Sequence, residues 1–135
     1  MNYDQIDFFK LGADYFPGFV GIEVLQVEKN FAAARVAIKN FHFAPNGYLH
    51  AGSIVTLADT IAGYACLYNL PDKGISFTTI ELKTNFLGSI KNGTIRAEAN
   101  LQHSGKTTQV WDVTVTNEEN EKKLALFRCT QLILY

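Results

Sequence analysis

The chain lacks most of the features that would send it to a membrane, the cell exterior or a nucleic acid. It has two cysteines, Cys66 and Cys129, too few for a disulfide framework in 135 residues able to build their own core. Both are expected to be buried free thiols, since Cys66 has no His or Lys near it in sequence to sustain a thiolate and Cys129 is no better placed. There are only three prolines, and no Ser/Pro/Gly-rich or single-charge tract marks a linker. One domain over residues 1–135 is the expectation. A formal net charge of −1 lacks the broad positive field of non-specific nucleic-acid binding, so no nucleic-acid partner is expected. The opening MNYDQIDFFKLGADYF carries acids where a secretory signal is basic, and no apolar run approaches bilayer length. A cytoplasmic protein without a membrane partner is expected.

What is present is period-two patterning. A short amphipathic helix is expected near Asp4 to Leu11, ended by Gly12 and Pro17. A hairpin follows, Gly21 to Glu28 and Phe31 to Lys39 around Lys29-Asn30, with Ala32, Ala34, Val36 and Ile38 on one face. Further on, Ile80, Leu82 and Phe86 alternate with Glu81, Lys83 and Asn85. After Asn92-Gly93, Ile95, Ala97, Ala99 and Leu101 alternate with polar residues, and after Ser104-Gly105, Trp111, Val113 and Val115 do the same. A last strand runs from about Lys123 to Tyr135. One-sided alternation with short turns implies an antiparallel sheet.

Between hairpin and meander, the stretch from Ala51 to about Leu70 has no proline and no charge except Asp59, which predicts a helix. At 100° per residue, Gly52, Thr56, Asp59, Thr60 and Gly63 form one small or polar stripe, while apolar side chains cover most of the remainder. A surface helix would use Lys and Glu on its wet face. The helix is therefore expected to lie buried in a curled sheet, with its stripe facing something other than bulk water.

One account of Asp59 is a carboxylate satisfied by a buried hydrogen bond or at a narrow solvent gap. The other is a base or nucleophile in a cleft, where Gly52 and Gly63 allow close approach. The helix begins at Tyr48-Leu49-His50-Ala51-Gly52, so N–H groups of Ala51 and Gly52 point outward at the positive end of its dipole, a ready oxyanion site. Asp59 lies ~10 Å further along the axis at 1.5 Å per residue. One polarised carbonyl does not bridge both within one chain, which favours a carboxylate supplied by a second subunit.

The run Asn46-Gly47-Tyr48-Leu49-His50-Ala51-Gly52, followed by Thr56 to Cys66, resembles the hotdog-fold acyl-CoA thioesterases of the phenylacetate-degradation (PaaI-like) group. The likeness extends over nearly the whole chain. It implies an α+β hotdog fold, an antiparallel β-sheet wrapped around a long central helix. It also implies homodimers that share active sites across their interface, often paired into homotetramers, and an acyl-CoA substrate with CoA as part of it and no separate cofactor. By the same resemblance Asp59 matches the catalytic carboxylate, the N–H of Ala51 with that of Gly52 the carbonyl donors, and Thr79 a hydroxyl that helps place the attacking water. His50 matches a residue that contacts or shapes the site, beside Asn46 and Gly47 before the helix and Thr60 and Gly63 along it. Two departures stand out: Ala51 where the family has Gly, strained if the position needs positive φ, and Ala44 six residues before His50 where many relatives carry Asn or Gln.

Thioester hydrolysis needs a nucleophile and stabilisation of the developing oxyanion, and the residues supply both in outline without a metal. Asp59 is left open as general base on water or as nucleophile, and the acyl group as aromatic or short to medium chain. His42 and His103 lack partners at metal-ligand spacing and are expected on surface loops or strands, while His50 is open between site and loop packing. Gly52-Ser53 lacks the Gly-x-Ser-x-Gly elbow of serine hydrolases, and no Gly-rich phosphate loop is present, so CoA is assigned to scattered cations such as Lys83 or Lys91. The competing readings are a hotdog dehydratase or hydratase, in which His50 is as necessary as Asp59, and a non-catalytic acyl-thioester-binding hotdog domain.

Overall fold

The computed structural model describes residues 5–135. Six strands form one sheet in the order β1-β2-β4-β5-β6-β3, with β1 at Ile22–Glu28, β2 at Phe31–Ala37, β3 at Ser76–Phe86, β4 at Thr94–Ser104, β5 at Thr108–Asn117 and β6 at Lys123–Leu134. Every neighbouring pair is antiparallel. β1 and β2 form the expected hairpin, with Asn30 at φ 66° in its turn, a conformation that Asn tolerates better than most residues. A long helix, α2, spans Ala51–Tyr68 and packs against all six strands.

The core is the seam between α2 and the inner sheet face. Leu57, Ala58, Ile61, Ala62, Ala65 and Cys66 are fully buried on the helix. They meet Ala32, Ala34 and Val36 of β2, Ile95, Ala97 and Ala99 of β4, and Trp111, Val113 and Val115 of β5, all at most 1% exposed. Alanines on the strands leave room for the helix to come close, and Leu57 and Ile61 fill the remaining gap. Burying each of those two side chains contributes ~1.5–3 kcal/mol. Leu57→Ala, which leaves a cavity as well, is expected to cost ~2–5 kcal/mol.

Two expectations need correction. The helix near Asp4 to Leu11 does not form: Asp4 lies outside the described residues, and the chain from Phe8 to Asp14 makes turns. The short helix, α1, is Phe16–Val20, and Pro17 opens it instead of ending the run, because a missing N–H costs nothing in a first turn. The second correction concerns β3. Register shifts between Thr79 and Glu81 against β6, so Ile80 is the extra residue of a bulge and is 57% exposed. Leu82 pairs with inward-facing Cys129 and Phe86 with Ala125, yet they are 43% and 48% exposed, because β3 is the sheet's outer strand and this half of it is uncovered.

Candidate active site

Asp59 stands on the face of α2 between the buried apolar residues and solvent. Its Oδ1 is buried without a hydrogen-bond partner, so no buried hydrogen bond satisfies that oxygen, while the residue as a whole is half-buried. Burial pushes its carboxyl above the ordinary value, since desolvation disfavours the charged form. Thr60, next along the helix, is half-buried, and Gly63 one turn on is buried. A Cβ built on Gly63 would come within 3.0 Å of Phe77 Cζ; the end of the stripe is covered by β3.

Phe77 leads to Thr79, two residues on along the same face. The Thr79 hydroxyl donates to Gln131 Oε1 at 2.7 Å, its cross-strand partner, and Gln131 Nε2 reaches Cys129 Sγ at 3.4 Å. The Cys129 thiol is pushed up to about 12 by burial and then by the Asp59 charge; Cys66 is likewise pushed up to about 12, chiefly by burial. These are the expected buried free thiols, with no thiolate near neutral pH. A chain of interactions thus runs from Asp59 to Cys129, and on through Gln131 to Thr79. Gln131 was not singled out from the sequence, although alternation along β6 places it on the inward face, where an amide among apolar side chains is itself a signal.

At the start of α2 one expectation changes. The Gly52 N–H is already taken, donating to His50 Nδ1 at 2.7 Å, and Ser53 N–H donates to the His50 carbonyl at 2.9 Å. His50 is the N-cap, so its ring serves the loop geometry while remaining exposed beside the site. Among the described residues nothing accepts from the Ala51 N–H, which leaves it as the outward donor. Ala51 is helical and absent from the positive-φ positions, so its side chain brings no backbone strain.

The loop before α2 is built around His42, which is buried, 3% exposed, and not on the surface as expected. Its Nδ1 accepts from Lys39 N–H at 2.8 Å and its Nε2 lies 2.7 Å from the Val20 carbonyl. Ser53 Oγ donates to the His42 carbonyl at 2.8 Å. His103 is exposed on β4, as expected. Asn46 does not point its amide oxygen into a site: it accepts from Tyr48 N–H at 3.2 Å, with Gly47 at φ 87° completing the turn. Gly47 and Lys91 share a depression with Asn40, Phe43, Ala44 and Pro45, whereas Lys83 lies elsewhere, on the outer face beside Asp112 and Arg128. Among the described residues no group of three or more His, Cys, Asp or Glu is placed to hold a metal ion, and no helix is long and apolar enough to cross a membrane.

The family model described as the thioesterase superfamily matches residues 46–123, the loop, α2 and strands β3 to β5. The chain belongs to the thioesterase superfamily. A 1,4-dihydroxy-2-naphthoyl-CoA hydrolase of Listeria monocytogenes is 37% identical to this thioesterase over 111 residues, 82% of this chain and 89% of its own length. Acyl-coenzyme A thioesterase PaaI of Escherichia coli is 31% identical over 110 residues, 81% and 75% of the two chains. A crystallised thioesterase of Haemophilus influenzae superposes with a TM-score of 0.84 at 25% identity, covering 93% of this chain and 87% of that one. The resemblance to PaaI-like hotdog enzymes is thereby established, with the α+β hotdog architecture and the class of acyl-CoA thioesterase.

Proposed function

We propose that this thioesterase hydrolyses acyl-CoA thioesters carrying an aromatic or a short- to medium-chain acyl group, with Asp59 as general base. The observation that carries the reading is the buried, unpartnered Oδ1 of Asp59. A buried acceptor without a partner is costly, and a carboxyl raised by burial is a stronger base than a solvated one. The Thr79 hydroxyl nearby gives a water a second contact, which favours the base role over direct attack. The Ala51 N–H, at the positive end of α2, is the donor for the thioester oxygen. His50, Gly47 and Thr60 border the substrate, whereas Gly63 is closed off by Phe77, and Lys91, with Lys83 at greater remove, supplies charge for CoA. The relative named for a naphthoyl-CoA substrate supports placing aromatic thioesters first in the panel.

The site is completed by a second copy of the chain. The helix start and Asp59 of one chain lie too far apart for a single carbonyl, and β3 leaves its outer edge open with Ile80, Leu82, Phe86 and Leu87 between 43% and 57% exposed. An open edge bearing apolar side chains is the surface that a partner's strand covers. A homodimer through β3, doubled into a homotetramer, puts the Ala51 N–H of one protomer opposite Asp59 of its partner.

The test is thiol release from aryl- and alkyl-CoA thioesters by the native protein and by Asp59→Asn. Turnover that the substitution abolishes, with the fold intact, is the expected result. Binding of acyl-CoA without turnover by the native protein would favour a non-catalytic domain, and equal turnover by both proteins would remove Asp59 from the chemistry.

A further inference from the structure

Two glutamines, Gln109 on β5 and Gln131 on β6, are fully buried and stand opposite each other in the sheet. Gln109 serves the scaffold: its Nε2 donates to the Asn69 carbonyl at 2.7 Å and its Oε1 accepts from the Trp111 indole at 2.8 Å. Gln131 is different. Its Nε2 is fixed on the buried Cys129 sulfur at 3.4 Å, which turns its Oε1 to Thr79, a half-buried residue at the bulge of β3. An amide placed among apolar side chains loses ~1–3 kcal/mol wherever a polar end is left unpaired, so both of its contacts resist rearrangement.

Resting on the reading of Asp59 as general base, we infer that Gln131 is a positioning residue. Its buried carboxamide holds the Thr79 hydroxyl hydrogen, so that Thr79 presents an oxygen lone pair, and not a hydrogen, to the attacking water. The direction of that bond sets how the water is held. A water donating one hydrogen to Asp59 and the other to Thr79 Oγ1 is fixed through both hydrogens and keeps both lone pairs for the thioester carbon. A Thr79 that donated instead would tie up one lone pair and leave the second hydrogen unheld, a less nucleophilic and less oriented water. In the step itself the water oxygen bonds to the carbonyl carbon, its proton passes to the Asp59 carboxylate and the C=O pair moves to oxygen. Collapse then breaks the C–S bond, and the Asp59 proton goes to the leaving thiolate.

Gln131→Met keeps the side-chain length and removes the amide. The expected result is a kcat roughly tenfold lower, the scale of one oriented neutral hydrogen bond, with KM within about twofold. Thr79→Val is expected to be at least as slow, and adding Gln131→Met to it to change kcat less than about twofold, because Gln131 acts only through the Thr79 hydroxyl. Native kcat in Gln131→Met, or losses that multiply in the double variant, would overturn the inference. Should Gln131→Met fold too poorly to assay, Thr79→Ser decides. Serine lacks the branch that stiffens χ1 in threonine, so its hydroxyl is aimed by Gln131 alone. A kcat within about threefold of native supports the inference, and a loss as deep as that of Thr79→Val overturns it. Turnover by Asp59→Asn equal to native would bring down the underlying reading and this inference together, whereas inactive Asp59→Asn with multiplying Thr79 and Gln131 losses brings down this inference alone.

Discussion

A methyl group placed on Gly63 would stand 3.0 Å from Cζ of Phe77, so α2 and β3 meet at a point with no spare volume. Gly63→Ala gains at most ~1 kcal/mol of helix propensity but overpacks the contact at ~1–3 kcal/mol. Crowding outweighs propensity unless the Phe77 ring shifts by a few tenths of an ångström. Thermal denaturation is expected to show a lower Tm for Gly63→Ala and recovery in Gly63→Ala/Phe77→Leu. Because Thr79 follows Phe77 by two residues, kcat is expected to fall in the single variant and recover with the Tm.

Asp59 gives a second prediction through its protonation. Burial raises its folded value above the unfolded one, so folding favours the protonated form. The resulting stability is fully present below the ordinary carboxylate range and is lost as pH rises through the raised value. Asp59→Asn carries no charge to bury, so its Tm is expected to exceed the native Tm near neutral pH, with the gap closing toward about pH 4. Its kcat is expected to be ~10²–10⁴-fold lower, and the native kcat to decline on acidification with a midpoint above that of an ordinary aspartate. A native Tm at or above that of Asp59→Asn across this range would contradict the account.

The β3 edge yields a third. Leu82→Glu with Phe86→Glu places charge on the inward half of the strand that α2 leaves uncovered. Light scattering after size exclusion is expected to give a dimer or larger for the native chain and a monomer for the variant, and the monomer to have lost turnover. A native monomer with full activity would refute the shared site.

Asn69 provides a stability change without a catalytic one. Its side chain accepts from Asn30 N–H at 2.9 Å and donates to the carbonyls of Glu28 and Ala65 at 3.1 and 2.8 Å, tying the end of α2 to the first hairpin turn. Asn69→Ala is expected to cost ~1–3 kcal/mol, seen in a urea midpoint, while kcat stays within about twofold of native.

The features readable from the sequence were those that local pattern dictates. Alternation located the strands, and the absence of proline and of any charge but Asp59 located α2. What escaped depended on partners far along the chain. His42 looks like a loop residue until the Val20 carbonyl, 22 residues earlier, is seen against its ring. Whether the Gly52 N–H is free depends on how the His50 ring turns, which no spacing specifies. The bulge at Ile80 is invisible to a period-two count, which runs on past it without a break. Gln131 left a trace, an amide at an inward position of β6, but only the register against β3 ties that trace to Thr79.

His42 also bears on how the protein moves. Both of its ring nitrogens are engaged by backbone from separate segments, Val20 at the end of α1 and Lys39 beyond β2, and its own carbonyl takes hydrogen bonds from His50 N–H and Ser53 Oγ at the start of α2. The ring works as a rivet through three layers. The loop that leads into α2 is thereby anchored to both the end of α1 and the end of β2, so a change at any one of the three segments is passed to the other two through a single residue.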